Sequence, residues 1–253
     1  MQFPHFRHVD KAAIPPQAQL PQNLTLLADE DFAPFSFKGL DGRPVGISVQ
    51  LGLAACVELK IQCTVKTVAY GALLQALEQK QGDVVLGGPQ ASDKAAGTIQ
   101  STRPYYYSYS QFVVRNGGNF SGVEAKALAG RRLGYVKATA QELFLKKYYD
   151  RATLIPFTTE EAMFEALRTG GLDLAFADSL HVAFWIKGNA ARGCCAPYGA
   201  PFADKGGFTH ALVMMTRKED GPLRQALDLA LDRLQEKGVT AKILSTYLPS
   251  SPF

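Results

Sequence analysis

Short runs of aliphatic and β-branched residues alternate along the chain with longer segments whose apolar positions recur at helical spacing. LTLLA (Leu24 to Ala28), CTVKTV (Cys63 to Val68), DVVLGG (Asp83 to Gly88) and QFVVR (Gln111 to Arg115) are predicted strands. So are RLGYV (Arg132 to Val136), ATLIPF (Ala152 to Phe157), LDLAFAD (Leu172 to Asp178) and HALVMM (His210 to Met215). Between them SVQLGLAACVEL reads as a helix. Thr158 and Glu161 stand at capping-box spacing ahead of EAMFEALR, and Gly170-Gly171 close that segment. Leu223, Leu227, Leu231 and Leu234 mark one face of a helix from Pro222 to Glu236, which Gly238 stops. Strands joined by crossover helices define an α/β chain.

Two stretches interrupt this alternation with strand-like chain able to run between lobes: YYYSYSQFVV (Tyr107 to Val114) and GGFTHALVMM (Gly206 to Met215). Paired crossovers make one lobe from both chain ends and the other from the middle. The expected division is an N-terminal extension over 1–23, a discontinuous lobe of 24–109 with 208–253, and a second lobe of 110–207. A ligand cleft between the lobes follows, because strand C-termini and helix N-termini converge there and present unpaired backbone N–H groups. No internal sequence repeat is evident.

Composition narrows the function. The 253 residues are 47% hydrophobic, enough for one large domain or two lobes with separate cores. The net charge of +4 arises from 27 basic and 23 acidic residues scattered along the chain, not from the concentrated basic stripe that nucleic acid requires. No apolar run reaches the roughly 18 residues needed to span a bilayer, so direct membrane insertion is not expected. Residues 1–22, rich in Pro and Gln, lack the apolar core of a signal peptide and read as an extended lead-in. His5, His8, His181 and His210 stand in no metal-ligand spacing, and no nucleophile elbow, phosphate loop or dinucleotide fingerprint occurs. Neither catalysis nor a cofactor is expected. Cys56 and Cys63 are close enough in sequence for a local bridge and Cys194 and Cys195 are adjacent; spacing alone leaves disulfides and free thiols both open.

Polar and aromatic residues recur at the ends of successive predicted strands. Asp29 and Phe32 follow the first, Tyr70 the second, Gly87, Gly88 and Gln90 the third, Lys137, Thr139 and Gln141 the fifth, and Asp178 ends the seventh. Taken singly, an aspartate there is an ordinary helix cap and an aromatic an ordinary core residue. Their recurrence at one end of successive strands points instead to a shared ligand site.

The stretch LLADEDFAPFSFKGLDGRPVGISVQL, followed by GDVVLGGPQ, GRRLGYVKATAQ, GGLDLAFADS and RKEDGPLRQALDLALDRLQEKGVTAKILSTYL, resembles the periplasmic solute-binding proteins of polar amino acid ABC transporters, histidine and lysine/arginine/ornithine binders among them. The resemblance runs from Leu24 to Leu248. It implies a two-lobed type II periplasmic-binding-protein fold with two hinge strands, a monomer, a small-molecule solute, and an ABC permease of the inner membrane as partner. It also implies a Cys56–Cys63 disulfide and hence a periplasmic location, any signal peptide lying outside these residues. By the same likeness Asp29 and Phe32 line the first lobe and Tyr70 forms the opposite wall. Gly87, Gly88 and Gln90 form a ledge, Thr139 and Gln141 bind carboxylate oxygens, and Asp178 accepts an α-ammonium.

One departure bears on the solute. Where such proteins read S-x-T-x-x-R, with the arginine bidentate to the ligand carboxylate, gapless alignment puts Ser92 at the threonine and Ala95 at the arginine. Lys137 and Lys94 are the nearby cations. An aromatic-walled pocket without that fork suits a polar or aromatic solute other than a standard α-amino acid. Two other readings attach to the same residues. STRPYYYSYSQFVV resembles binding-protein relatives that accompany quinoprotein alcohol dehydrogenases, and the scaffold resembles cyclohexadienyl dehydratases, whose chemistry needs the missing carboxylate clamp.

Overall fold

The structure, a computed structural model, describes residues 20–89, 97–118, 120–203 and 210–248. The chain opens with β1 (Asn23–Asp29), β2 (Asp31–Phe32), β3 (Ser36–Lys38), β4 (Pro44–Val45), α1 (Ile47–Leu59) and β5 (Gln62–Val68). After a 3₁₀ turn at Tyr70–Ala72 come α2 (Leu73–Glu78), β6 (Val84–Pro89), β7 (Ile99–Ser101), β8 (Tyr106–Ser108) and β9 (Ser110–Arg115). The middle of the chain forms β10 (Arg132–Val136), α3 (Ala140–Tyr148), β11 (Thr153–Phe157), α4 (Glu160–Thr169), β12 (Leu174–Asp178) and α5 (Ser179–Lys187). A 3₁₀ turn at Asn189–Ala191, β13 (Cys195–Phe202), β14 (His210–Arg217), α6 (Gly221–Glu236) and α7 (Val239–Tyr247) complete it. Two compact units result: one holds the chain through Tyr106 together with the chain from Ala211, the other Tyr107–His210.

The first unit is built on a sheet in the order β5-β1-β6-β14-β7. β1 runs parallel to β5 and β6, while β14 is antiparallel to β6 and β7. Leu27, Val85, Val213 and Met215 from its strands pack with Leu73 and Leu77 of α2. Leu223, Leu227, Leu231 and Leu234 are buried along α6, as their spacing predicts. Asp228 and Asp232 are buried on the same helix and hold the chain ahead of β8. Asp228 Oδ1 accepts the Arg103 backbone N–H at 2.7 Å, and the Arg103 guanidinium pairs with Asp232. A buried carboxylate of this kind is stable only when charge-paired and hydrogen-bonded. Cys56 and Cys63 are bridged with Cα atoms 6.2 Å apart, pinning the end of α1 to β5.

The second unit carries a sheet in the order β11-β10-β12-β9-β13. β10 runs parallel to β11 and β12, and β9 lies antiparallel between β12 and β13. Alternation along β9 divides the core. Phe112 and Val114 join Leu133, Leu145 and Phe176 on one face, and Val113 joins Met163, Phe164 and Leu167 on the other. The expected cap of α4 shifts by one residue. The N-cap is Thr159, not Thr158: its backbone is extended and its Oγ1 accepts the Ala162 N–H at 3.2 Å, in place of the expected Thr158/Glu161 capping box.

Both units share one wiring that no sequence repeat announces. In β1-α1-β5-α2-β6 the chain leaves the middle strand to one side and returns to its other side, and β10-α3-β11-α4-β12 does the same. Removing the α1–β5 bridge with Cys56→Ser and Cys63→Ser should lower the unfolding free energy by about 2 to 3 kcal/mol, the loop-closure value for so short a loop. Chemical denaturation checks this, and unchanged stability would mean that packing alone holds α1 on β5.

Candidate functional site

A parallel strand whose neighbours are reached by crossovers leaving in opposite directions has an open crevice at its carboxyl end. In the first unit that strand is β1, and Asp29 is its last residue, opposite Val68 of β5. Asp29 is buried. Its Oδ1 accepts the Asp31 N–H at 3.2 Å and its carbonyl accepts the Ser36 hydroxyl, so the turn into β2 is fixed from both ends. Phe32 follows on β2, its ring 5.2 Å from that of Phe35, which in turn lies 4.9 Å from Tyr106. Tyr70 sits on the 3₁₀ turn after β5 with 56% of its surface exposed, unusual for so large an apolar ring and available for contact.

Gly87 and Gly88 lie in the last half of β6, just before Pro89 ends it on the same edge of the sheet. Leu86 pairs with Met214 and Gly88 with Val213, which leaves Gly87 as the extra residue of a bulge with φ 74°. A Cβ at Gly87 would lie 2.9 Å from Ser48 Oγ. That hydroxyl accepts the Tyr105 phenol at 2.7 Å, and the Gly87 backbone also hydrogen-bonds the phenol. Burial raises the Tyr105 pKa far above its ordinary value, so the ring stays neutral and acts as a brace. Gln90 lies outside the described residues, as do Ser92, Lys94 and Ala95.

In the second unit the corresponding strand is β10, followed by Lys137, Ala138 and the start of α3. Thr139 is the N-cap: its Oγ1 accepts the Glu142 N–H at 3.3 Å and donates to the Val136 carbonyl at 2.7 Å. Glu142, at the third helical position, reaches back past the N-cap to accept the Ala138 N–H at 2.7 Å, so the turn into α3 is held from both sides of Thr139. The Thr139 hydroxyl proton is thus already engaged, and what this turn offers an anion is the backbone N–H groups that open α3. Gln141 donates its side-chain amide to Ser110 Oγ at 3.1 Å. Lys137 is exposed, and its backbone N–H donates to the Phe157 carbonyl at 2.9 Å.

Asp178 ends β12 opposite Ser110 of β9. It caps α5, Oδ1 accepting from Leu180 N at 2.9 Å and His181 N at 3.4 Å, while Oδ2 accepts the Ser108 hydroxyl. A carboxylate has about four lone-pair positions, so room remains for roughly one more donor. Asp178 meets Ser108 and lies opposite Ser110, and Gln141 meets Ser110; sequence reasoning did not single out either serine. Their signal was present in YYYSYS, where two serines interrupt a run of tyrosines. Among the described residues no group of His, Cys, Asp or Glu could hold a metal ion, and no helix is long and apolar enough to cross a membrane.

The family model for bacterial extracellular solute-binding proteins, family 3, matches residues 24–250, and the chain belongs to that family. The histidine-binding periplasmic protein of Escherichia coli K12 is 26% identical over 234 residues, covering 91% of this chain and 89% of that one. The L-arginine-binding protein of Pseudomonas aeruginosa is 26% identical over 219 residues, covering 85% and 84%. The L-cystine solute receptor of Neisseria gonorrhoeae, solved unliganded and open, superposes with a TM-score of 0.79 at 18% identity, covering 89% of this chain and 92% of that chain. The fold is the type II periplasmic-binding-protein fold of these neighbours.

Beside Asp178, the His181 imidazole lies 2.7 Å from the Glu160 carboxylate at the start of α4. The hydrogen bond that the His181 ring donates to Glu160 raises the His181 pKa above its ordinary 6.5, with the charges of Glu160, Asp178 and Glu161 adding to it against desolvation. A folded-state pKa above the unfolded one stabilises fully below the ordinary value and ceases to do so as pH rises through the folded one. His181→Gln should therefore melt below wild type at about pH 5.5 and level with it at about pH 9. A gap that persists at the higher pH would show that protonation is not its source.

Proposed function

We propose that this chain is the periplasmic receptor of an ABC importer, binding a small amine-bearing polar or aromatic solute with residues of both units. The kinship over residues 24–250 supports the receptor class, and the relatives that bind histidine and arginine support an amine among the ligand's groups. The observation that carries the reading is Asp178, an acceptor held by three donors at the carboxyl end of β12 with room for about one more. Beside it the start of α3 offers N–H groups to an anionic or carbonyl oxygen. Phe32 and Tyr70 supply the aromatic walls of the other half, above the Gly87–Gly88 ledge.

The solute differs from a standard α-amino acid. In gapless alignment Ala95 takes the place of the arginine that such receptors use for an α-carboxylate, and losing a bidentate fork removes about 2 to 4 kcal/mol of binding. Capture follows a population shift: a solute touching residues of both units favours the closed state by no more than its differential affinity for that state. Nothing in this role calls for covalent chemistry, and the partner is the importer's membrane permease.

A thermal-shift screen over amines, opines, sugars and aromatic acids should find stabilising solutes, since a ligand of the native state raises the melting point with its concentration relative to Kd. Calorimetry should show no common L-α-amino acid bound at submicromolar Kd, and Asp178→Asn should weaken an amine-bearing hit at least about tenfold. Submicromolar binding of a common amino acid would overturn the solute class, and an Asp178→Asn protein with undiminished affinity would remove Asp178 from the site.

A further inference from the structure

Cys194 and Cys195 form a disulfide between adjacent residues, with Cα atoms 3.7 Å apart. Unlike the Cys56–Cys63 bridge, it closes no loop beyond its own peptide unit, so it constrains almost nothing in the unfolded chain. Its place in the second unit is also distinct from the half-site there. Cys195 pairs with Arg115 at the far end of β9, whereas Ser110, beside Asp178, begins that strand.

The backbone around the pair is held without help from the sulfur–sulfur bond. The Asn116 N–H donates to the Cys194 carbonyl at 2.7 Å and the Asn116 amide donates to the Gly193 carbonyl at 2.7 Å. The Cys194 N–H donates to the Ala191 carbonyl at 2.9 Å, and Cys195 belongs to the β9–β13 ladder. Cys195 is buried against Val113, Met163 and Phe164, while Cys194 is half-buried on an exposed turn that passes through Arg192 and Gly193 at positive φ. Breaking the bond therefore leaves two thiols on a fixed scaffold, one reachable from solvent. Arg115 opposite Cys195 and Arg192 just before the pair bring positive charge to the region, which favours thiolates. Glu165 on α4, which feels the Arg192 charge, is itself paired with Arg168.

We propose that Cys194–Cys195 is a thiol–disulfide exchange site whose reduced form is a preorganised dithiol for a soft, thiophilic centre. A thiolate of a dithiol reductant bonds to Sγ of Cys194, the Cys194–Cys195 bond breaks, and its electron pair leaves on Sγ of Cys195. The reductant's second thiolate then displaces Sγ of Cys194. The reductant departs as its own disulfide, and the protein has gained two electrons and two protons. The two thiols can next close on one trivalent arsenic, phenylarsine oxide giving up its oxygen as one water. This site is independent of solute capture.

The full chain with both disulfides formed is equilibrated in graded dithiothreitol, quenched in acid, alkylated, and each cysteine peptide quantified by mass spectrometry. Half-reduction at Cys194 and Cys195 is expected at about one-tenth of the dithiothreitol needed for Cys56 and Cys63, with the circular dichroism spectrum unchanged at that point. Simultaneous or reversed reduction would overturn the proposal. After mild reduction, phenylarsine oxide should add one equivalent that maps to the Cys194–Cys195 peptide, in wild type and in the Cys56→Ser/Cys63→Ser protein. Cys194→Ser, whose backbone bonds are retained, should take none. An adduct absent from wild type, mapped elsewhere, or kept by Cys194→Ser would contradict the assignment.

Discussion

Each unit depends on one parallel strand with crossovers departing to either side, β1 in the first and β10 in the second. Helices cannot cover the carboxyl end of such a strand, because the connections that leave it and its neighbour there go to opposite faces of the sheet. Backbone N–H groups at helix starts and the side chains of the connecting turns are left to line the gap. Asp29 and Phe32 occupy that position after β1, and Lys137, Thr139 and Gln141 occupy it after β10. Asp178 closes β12, the neighbour reached by the second crossover. The placement of every described candidate residue follows from this constraint and not from any motif.

The same edge must also be stable when empty, and that limits what its side chains can offer a solute. Thr139 and Asp178 are helix caps before they are anything else, and their hydrogen bonds to α3 and α5 satisfy N–H groups that would otherwise go unpaired. A cap can also contact a ligand only where it keeps the group the ligand needs: Asp178 keeps room for about one more donor, whereas the single Thr139 hydroxyl proton is already given to the Val136 carbonyl. In the second unit this leaves Asp178 and the backbone N–H groups as what the proposed site can offer a solute, with Ser108 bonded to Asp178 and Gln141 to Ser110. In the first unit the Tyr105–Ser48 pair does comparable work behind the Gly87 bulge.

Much of this was legible in the residues. Each of the eight runs read as strands contains a strand, and the leucines of α6 fall on its buried face, because period and β-branching report burial directly. The short β7, the strand β13 and the helix α5 were not read. IQS is too short to show a period, CAPYGAPF carries prolines and a glycine that imitate a loop, and SLHVAFWIK is apolar on most sides, so its helical stripe is blurred. The capping error at Thr158 had a different cause: two adjacent threonines offer equivalent spacings, and only the backbone conformation chooses between them. Ser108 and Ser110 were missed because their neighbours are tyrosines, which attract attention as ligand walls while the small residues between them carry the hydrogen bonds.

The most direct test of binding at both sheet edges is hydrogen–deuterium exchange on the protein with and without a saturating solute found by melting-point screening. Protection should appear in both units, at residues 29–35 and 86–89 in one and at 137–142 and 178–182 in the other, because the ligand engages the ends of β1 and β6 and the starts of α3 and α5. Protection confined to one unit, or falling on neither edge, would contradict it.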